Sequence, residues 1–200
     1  MDATTYFWYA TDMSILGNFP GSEQSFLEHT KIVNNGWPSF LSIVFSLYNS
    51  NNIFDYMDLQ RYSTIMISVL TIIPVYKLCS RFFTKYIAVF GAAIFIFEPR
   101  IILNSLTGTT EASFIFIAAS SLALFFSDNK KIIYCSFALA SILSLIRYEG
   151  LLLLLPLIVM FFVRFRHEKK LYIKYGVILG IIFMILIPMA YVRIETTGED

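Results

Sequence analysis

Charge is what this sequence has least of. Asp, Glu, Lys and Arg make up 14% of its 200 residues, against about 25% in a typical soluble domain. Apolar residues make up 57%, where soluble domains hold about 45–50%. So few charges cannot solvate the surface of so apolar a chain, and a water-soluble globular domain is excluded. Cysteine is scarce too. Cys79 and Cys135 stand far apart, which excludes both a disulfide framework and a thiolate metal cluster. The two histidines, His29 and His167, are too few to argue a metal site from. There is no phosphate-cradling glycine loop, no dinucleotide fingerprint, no nucleophile elbow and no internal repeat.

What is abundant is apolar sequence in long runs, rich in aromatics (20 Phe and 12 Tyr). Nearly charge-free stretches cover 62–79, 86–97, 112–126, 132–146, 151–163 and 175–192. Crossing a bilayer takes about 20 apolar residues, with a range of about 17–25. The first and last runs reach that range; the middle four reach it only with polar flanks and read as short or partly re-entrant spans. The run 37–49 is too short to cross and reads as an interfacial or half-buried helix. The expected fold is therefore all-α, a polytopic transmembrane helical bundle of about six spans over 62–193. Residues 1–61 form an extracytoplasmic region with short interfacial helices, and 194–200 begin an interrupted outer loop. Pro74, Pro156 and Pro188 fall within spans and predict kinks.

Basic residues orient the bundle. With six alternating spans, one side holds Lys77, Arg81, Lys85, Lys130, Lys131, Arg164, Arg166, Lys169, Lys170 and Lys174, ten of the 15 Lys and Arg. The positive-inside rule makes that side cytoplasmic. Of the 14 acidic residues only Asp128 and Glu168 share it. Acidic residues hardly influence insertion, so their crowding on the outer side asks for a functional reason. This topology also places about 60 residues outside ahead of the first span, and so expects a further span before Met1.

The outer segments carry the candidate residues. The sequence predicts an amphipathic helix from Phe7 to Leu16, ended by Asn18, Pro20 and Gly21, and "NNGWP" predicts a turn followed by a helix start. Asp2 lies one helical turn from Tyr6, and Tyr6 about one turn from Tyr9. The plainer reading is a surface helix anchored at the headgroups by its aromatics. The stretch "FIFEPRIILNSLTGTTEASFIFI" reads as an outer loop, with Glu98 and Arg100 at the end of one span and Glu111 at the start of the next. "SLIRYEG" places Arg147, Tyr148 and Glu149 in a tight outer turn, and Arg61 stands just before the first span. Each arginine has a bland alternative, snorkelling to the headgroups. Together, Asp2, Arg61, Glu98, Arg100, Glu111, Arg147 and Glu149 are expected at one membrane face at similar depth, where ionisable groups are costly unless paired or useful.

The order of these pieces resembles the N-terminal half of GT-C-type polytopic glycosyltransferases, the protein O-mannosyltransferase and aminoarabinose-transferase relatives. The likeness is carried by "DATTYFWYA", then "GNFPG" and "GWPSF", then "YKLCSRFFTKYIAVFGAAIF", "EPRIILNSLTGTTEASFIF" and "SLIRYEGLLLLLPL". It implies transfer of a sugar from a polyprenyl- or dolichyl-phosphate carrier to a protein or glycolipid acceptor on the non-cytoplasmic face. It implies an integral membrane location, in a prokaryotic plasma membrane ahead of the endoplasmic reticulum. Asp2 matches the family's first-loop catalytic carboxylate and Glu111 a second acidic position. Ala3 stands where relatives often carry another acid, so a divalent metal is a possibility that the motif does not assign. Such chemistry needs a base for the acceptor's proton and cations for the departing lipid phosphate, for which the planar fork of arginine is suited. Arg61, Arg100 and Arg147 are the candidates for that task, with Tyr6, Glu98, Tyr148 and Glu149 as further site residues. A transporter fragment and a non-catalytic membrane subunit stay open as alternatives; transporters place charges near the midplane on broken helices.

Overall fold

The computed structural model describes residues 2–17, 34–48, 50–167 and 171–197, and its regular structure there is entirely helical. Helix α1 (Asp2–Thr11) runs on into a π-helical turn, Asp12–Leu16, and α2 spans Gly36–Ser46. Then come α3 (Ile53–Leu70), α4 (Ile72–Phe82), α5 (Lys85–Ile96) and α6 (Pro99–Thr107). Helices α7 (Glu111–Phe125), α8 (Lys130–Ile146), α9 (Gly150–Phe165) and α10 (Leu171–Thr197) complete the chain. His29, Lys31, the expected terminators Asn18, Pro20 and Gly21, and Lys169 and Lys170 lie outside the described residues.

Local chemistry sets several boundaries. Asn52 caps α3 by accepting from the Phe54 amide, and Asn129 caps α8 by accepting from the Lys131 amide, each satisfying a donor that the helix start leaves free. Glu98 caps α6 in the same way through the Arg100 amide, with Pro99 at the first helical position. The break between α3 and α4 falls at Thr71, three residues before Pro74, which has no N–H to donate to the carbonyl one turn back and whose ring crowds that carbonyl. Pro156 and Pro188, by contrast, sit inside uninterrupted helices.

Among the described residues two helical stretches are long and apolar enough to cross a membrane, Ile53–Phe82 and Leu171–Tyr191, or three if α5 and α6, bent by 50°, count as one. Helices α7, α8 and α9 have 15, 17 and 16 residues. At about 1.5 Å per residue that is about 22–26 Å, less than a hydrocarbon core of about 30 Å. The middle helices are short, in line with the short middle runs of the sequence.

The largest correction falls on the outer loop expected between the second and third runs. Residues 99–107 form α6, so the connection shrinks to Gly108, Thr109 and Thr110. A second correction concerns the boundary expected at 61/62: α3 begins at Ile53 and passes through it without interruption. A third falls at the C-terminal end, where α10 runs on to Thr197, past the loop start expected at 194.

Packing divides into two cores. Phe125, Ile133, Phe137, Leu157, Phe161 and Ile178 join α7, α8, α9 and α10. Phe7, Ala10, Trp37, Leu41, Phe45, Tyr56 and Ile146 join α1, α2, α3 and the end of α8. This overturns the reading of α1 as a helix anchored by its aromatics at a headgroup surface. Phe7, Tyr9, Trp37 and Phe45 are fully enclosed, with Phe45 in edge contact with both Phe7 and Tyr56. At the opposite end of the array Arg164 donates to the Phe125 carbonyl at 2.7 Å and the Ser127 carbonyl at 2.8 Å, closing the exposed end of α7. Arg81 pairs with Asp128 there at 2.8 Å.

Candidate functional site

Three of the expected residues meet between the start of α7 and the α8–α9 turn. The turn is tight because Gly150 lies against α8: a Cβ at Gly150 would sit 2.6 Å from the Leu143 carbonyl carbon. That geometry brings Arg147 over the N-terminus of α7. Its Nη1 donates to Glu111 Oε1 at 2.9 Å. The other edge of the guanidinium, Nη2 and Nε, faces Glu149 at 3.0 and 3.4 Å. The guanidinium also lies 5.8 Å from the centre of the Phe114 ring, within cation–π range.

The three groups differ in environment. The Arg147 and Glu111 side chains are 32% and 33% exposed, and Glu149 is 55% exposed. The hydrogen bond from Arg147 holds the Glu149 carboxyl below the usual carboxylate range, and the Glu149 carboxylate in turn pushes the guanidinium above its ordinary value. Glu111 has a further peculiarity. Burial pushes its carboxyl up, yet the Thr109 hydroxyl, its own backbone amide and Arg147 together outweigh burial and hold it below the usual carboxylate range. At a helix N-terminus the charge itself is favoured by the helix dipole.

Beside this cluster lies an apolar cavity of about 600 Å³, open on one side, between α2, α3, α7 and α8. Ser113, two residues after Glu111, and Ile146, next to Arg147, belong to its wall, as do Trp37, Tyr62 and Ile117. A smaller cavity of about 220 Å³ is lined by Asn34, Asn35, Ser144 and Tyr148. The cluster therefore joins a charged edge to an apolar interior, an arrangement that suits an amphiphile with an anionic head.

Asp2 opens α1, one turn before Tyr6, which packs against the core around Trp37, and adjoins Ala3, whose carbonyl shares the Gln60 amide with Gly108 of the loop before Glu111. The other expected residues separate. Arg61, expected just before a span, lies within α3 and pairs with Asp58 at 3.2 Å on the exposed surface. Arg100 and Glu98 are both exposed at the α5–α6 break. Because Gln60 meets Gly108 and Thr64 meets Ser105, α6 runs antiparallel to α3. Arg100 thus lies about 12 Å along the axis from the Gly108 end, at about 1.5 Å per residue. A helix therefore stands between Arg100 and the Glu111 loop where a loop was expected. Among the described residues no group of three or more His, Cys, Asp and Glu converges as a metal set would; Glu111 and Glu149 converge on a guanidinium instead.

The sequence reading passed over Gln60. On α3 the buried positions Tyr56, Gln60 and Thr64 recur every four residues, so a polar side chain on that stripe was the available signal. No protein-family model, no curated protein and no solved structure matches the chain.

Proposed function

We propose that this chain forms the catalytic face of a membrane glycosyltransferase that moves a sugar from a polyprenyl- or dolichyl-phosphate carrier to a protein or glycolipid acceptor. In this reading it is an integral protein of a prokaryotic plasma membrane, with the Glu111 end on the extracytoplasmic side. The observation that carries the reading is the half-buried Glu111–Arg147 pair at the edge of the apolar cavity. The prenyl chain lies in the cavity and its phosphodiester at the Arg147 fork, whose planar geometry suits phosphate. Glu111, held by Arg147 through one oxygen, opposes with its carboxylate charge the positive charge that develops at the sugar's anomeric carbon. Asp2 accepts the acceptor's hydroxyl and takes its proton as the acceptor oxygen bonds to that carbon. The bond from that carbon to the phosphate oxygen breaks, and the lipid phosphate leaves with its charge opposed by Arg147.

The test is sugar transfer by the full-length protein in nanodiscs, with a radiolabelled polyprenyl-phosphate sugar and a peptide or glycolipid acceptor. Glu111→Gln is expected to lower turnover by about a hundredfold or more while the donor still binds. Full turnover by both Glu111→Gln and Asp2→Asn would remove the catalytic assignment and favour a non-catalytic subunit. A second reading, a transporter, draws on one observation of its own: the bent α5–α6 pair carries Glu98 and Arg100 at its break, as transporter spans carry charges at discontinuities. Solute flux into proteoliposomes without sugar transfer would select it.

A further inference from the structure

Gln60 is 4% exposed on α3, and its amide nitrogen reaches two carbonyls from distant parts of the chain. Nε2 donates to Ala3 O at 3.2 Å and to Gly108 O at 2.7 Å. Ala3 is next to Asp2, and Gly108 is three residues before Glu111. We infer that Gln60 is a positioning residue that fixes the backbone bearing Asp2 against the loop bearing Glu111, an inference that rests on the glycosyltransferase reading for its functional consequence.

The chemistry singles out glutamine. One neutral nitrogen with two N–H groups can satisfy two carbonyls at once, whereas a hydroxyl donates once and a buried ammonium would carry an unpaired charge. The loop is shaped to receive it. Gly108 has a φ of +75°, and a Cβ there would stand 3.2 Å from the Gln60 Cγ and Nε2. A side chain at 108 would strain the backbone and crowd the amide. Helix α6 keeps its own attachment to α3, because the Thr64 hydroxyl donates to Ser105 O at 2.7 Å. Loss of the Gln60 amide therefore frees the 108–110 loop and the start of α1 rather than unfolding the helix pair.

Gln60→Met removes both donors at nearly unchanged volume, and Gly108→Ala pushes the amide aside. Two measurements on the full-length protein decide the matter. The first is the distance distribution between spin labels at the exposed positions Thr4 and Thr107, which requires no activity. The second is steady-state transfer. Gln60→Met is expected to broaden the label distribution and to lower kcat about ten- to a hundredfold with the donor KM within about twofold, as loss of alignment without loss of donor contacts should. Gly108→Ala should do the same, and the double variant should cost little more than either single one, because both remove one interaction. An unchanged distribution in Gln60→Met, or additive losses in the double variant, overturns the inference. If the wild type transfers no sugar while the label distribution still broadens, the glycosyltransferase reading fails and the clamp stands.

Discussion

Replacing Glu149 by glutamine asks what the Arg147 fork is for. The edge formed by Nε and Nη2, the one that fits a phosphate side-on, is taken by Glu149, while Glu111 uses only Nη1. Glu149 is the more exposed of the two carboxylates at 55% against 33%, so an arriving phosphodiester displaces Glu149 and leaves the Glu111 pair intact. An ion pair this exposed is worth about 0.2–1 kcal/mol. Removing the competitor should therefore tighten phosphodiester binding by about 1.4- to 5-fold. The assay is titration of a short-chain prenyl phosphodiester into nanodisc-embedded protein, comparing wild type, Glu149→Gln and Arg147→Lys. Glu149→Gln should bind more tightly and Arg147→Lys more weakly, since lysine keeps the charge and loses the fork. Weaker or unchanged binding by Glu149→Gln would refute the exchange. The pH dependence has a defined sign. Because the Glu149 carboxyl is depressed in the folded state, its pairing is complete above the unfolded value of about 4.3 and fades as pH falls through the lower folded value. Wild-type affinity should thus be flat from about pH 5 to 8, with any gain confined to more acid conditions.

Asp2→Asn should lower transfer by about two to four orders of magnitude with donor binding retained if Asp2 is the base; as a mere helix-start residue it would be silent, because asparagine caps about as well. Arg100→Lys should leave donor affinity unchanged where Arg147→Lys weakens it, since Arg100 lies at the far end of α6; equal losses in a binding titration would return Arg100 to the site. In a background lacking Cys79 and Cys135, Thr84→Cys and Thr107→Cys should label from opposite sides with an impermeant thiol reagent, and labelling of both from one side would contradict the orientation. Phe45→Ala should destabilise the α1–α2–α3 core by about 3–5 kcal/mol in a thermal or denaturant melt, because the ring is enclosed against Phe7 and Tyr56.

Much of the helical order was legible because apolar run length is a direct physical signal. The runs beginning at 112, 132 and 151 correspond to α7, α8 and α9 within a few residues. The loop read between 98 and 111 failed for an equally physical reason. Glu98 and Arg100 look like loop residues to a hydropathy count, but Glu98 followed by proline is a helix cap, and Ser105 and Thr107 turn their hydroxyls back to the helix. The Ser105 hydroxyl reaches the Ile102 carbonyl at 2.7 Å and the Thr107 hydroxyl the Asn104 carbonyl at 3.0 Å. A polar residue that satisfies itself locally costs a helix little, so composition alone undercounts such segments. Of the candidate site, the Glu111–Arg147–Glu149 grouping could be expected from two outer connections of one bundle, yet its contacts could not. The sequence places Arg61, Arg100 and Arg147 on an equal footing. Only the pairing of Arg61 with Asp58, and the antiparallel run of α6, separate them.

That separation changes what a mostly apolar chain is doing with its few buried polar atoms. Buried polar groups are costly in an apolar setting unless each finds a partner, so their placement is informative. On α3 the buried Gln60 side chain binds the Gly108 carbonyl and reaches Ala3 besides, while the one hydroxyl hydrogen of Thr64 faces the Ser105 carbonyl at 2.7 Å and the Arg61 carbonyl of its own helix at 2.8 Å. Serines deep in α8 behave differently. Ser141 and Ser144 donate to carbonyls one turn back in the same helix, at 2.8 and 3.1 Å, and connect nothing. Other long-range polar contacts, such as Ser121 to the Ser136 carbonyl, Arg164 to the Phe125 carbonyl and Tyr175 to the Ile158 carbonyl, join neighbouring helices of the α7–α10 core. Those of Gln60 lie instead where the start of α1 meets the loop before α7. It is there that the proposed chemistry needs two backbone segments held in register, and there that an isosteric loss such as Gln60→Met should reduce turnover far more than it reduces stability.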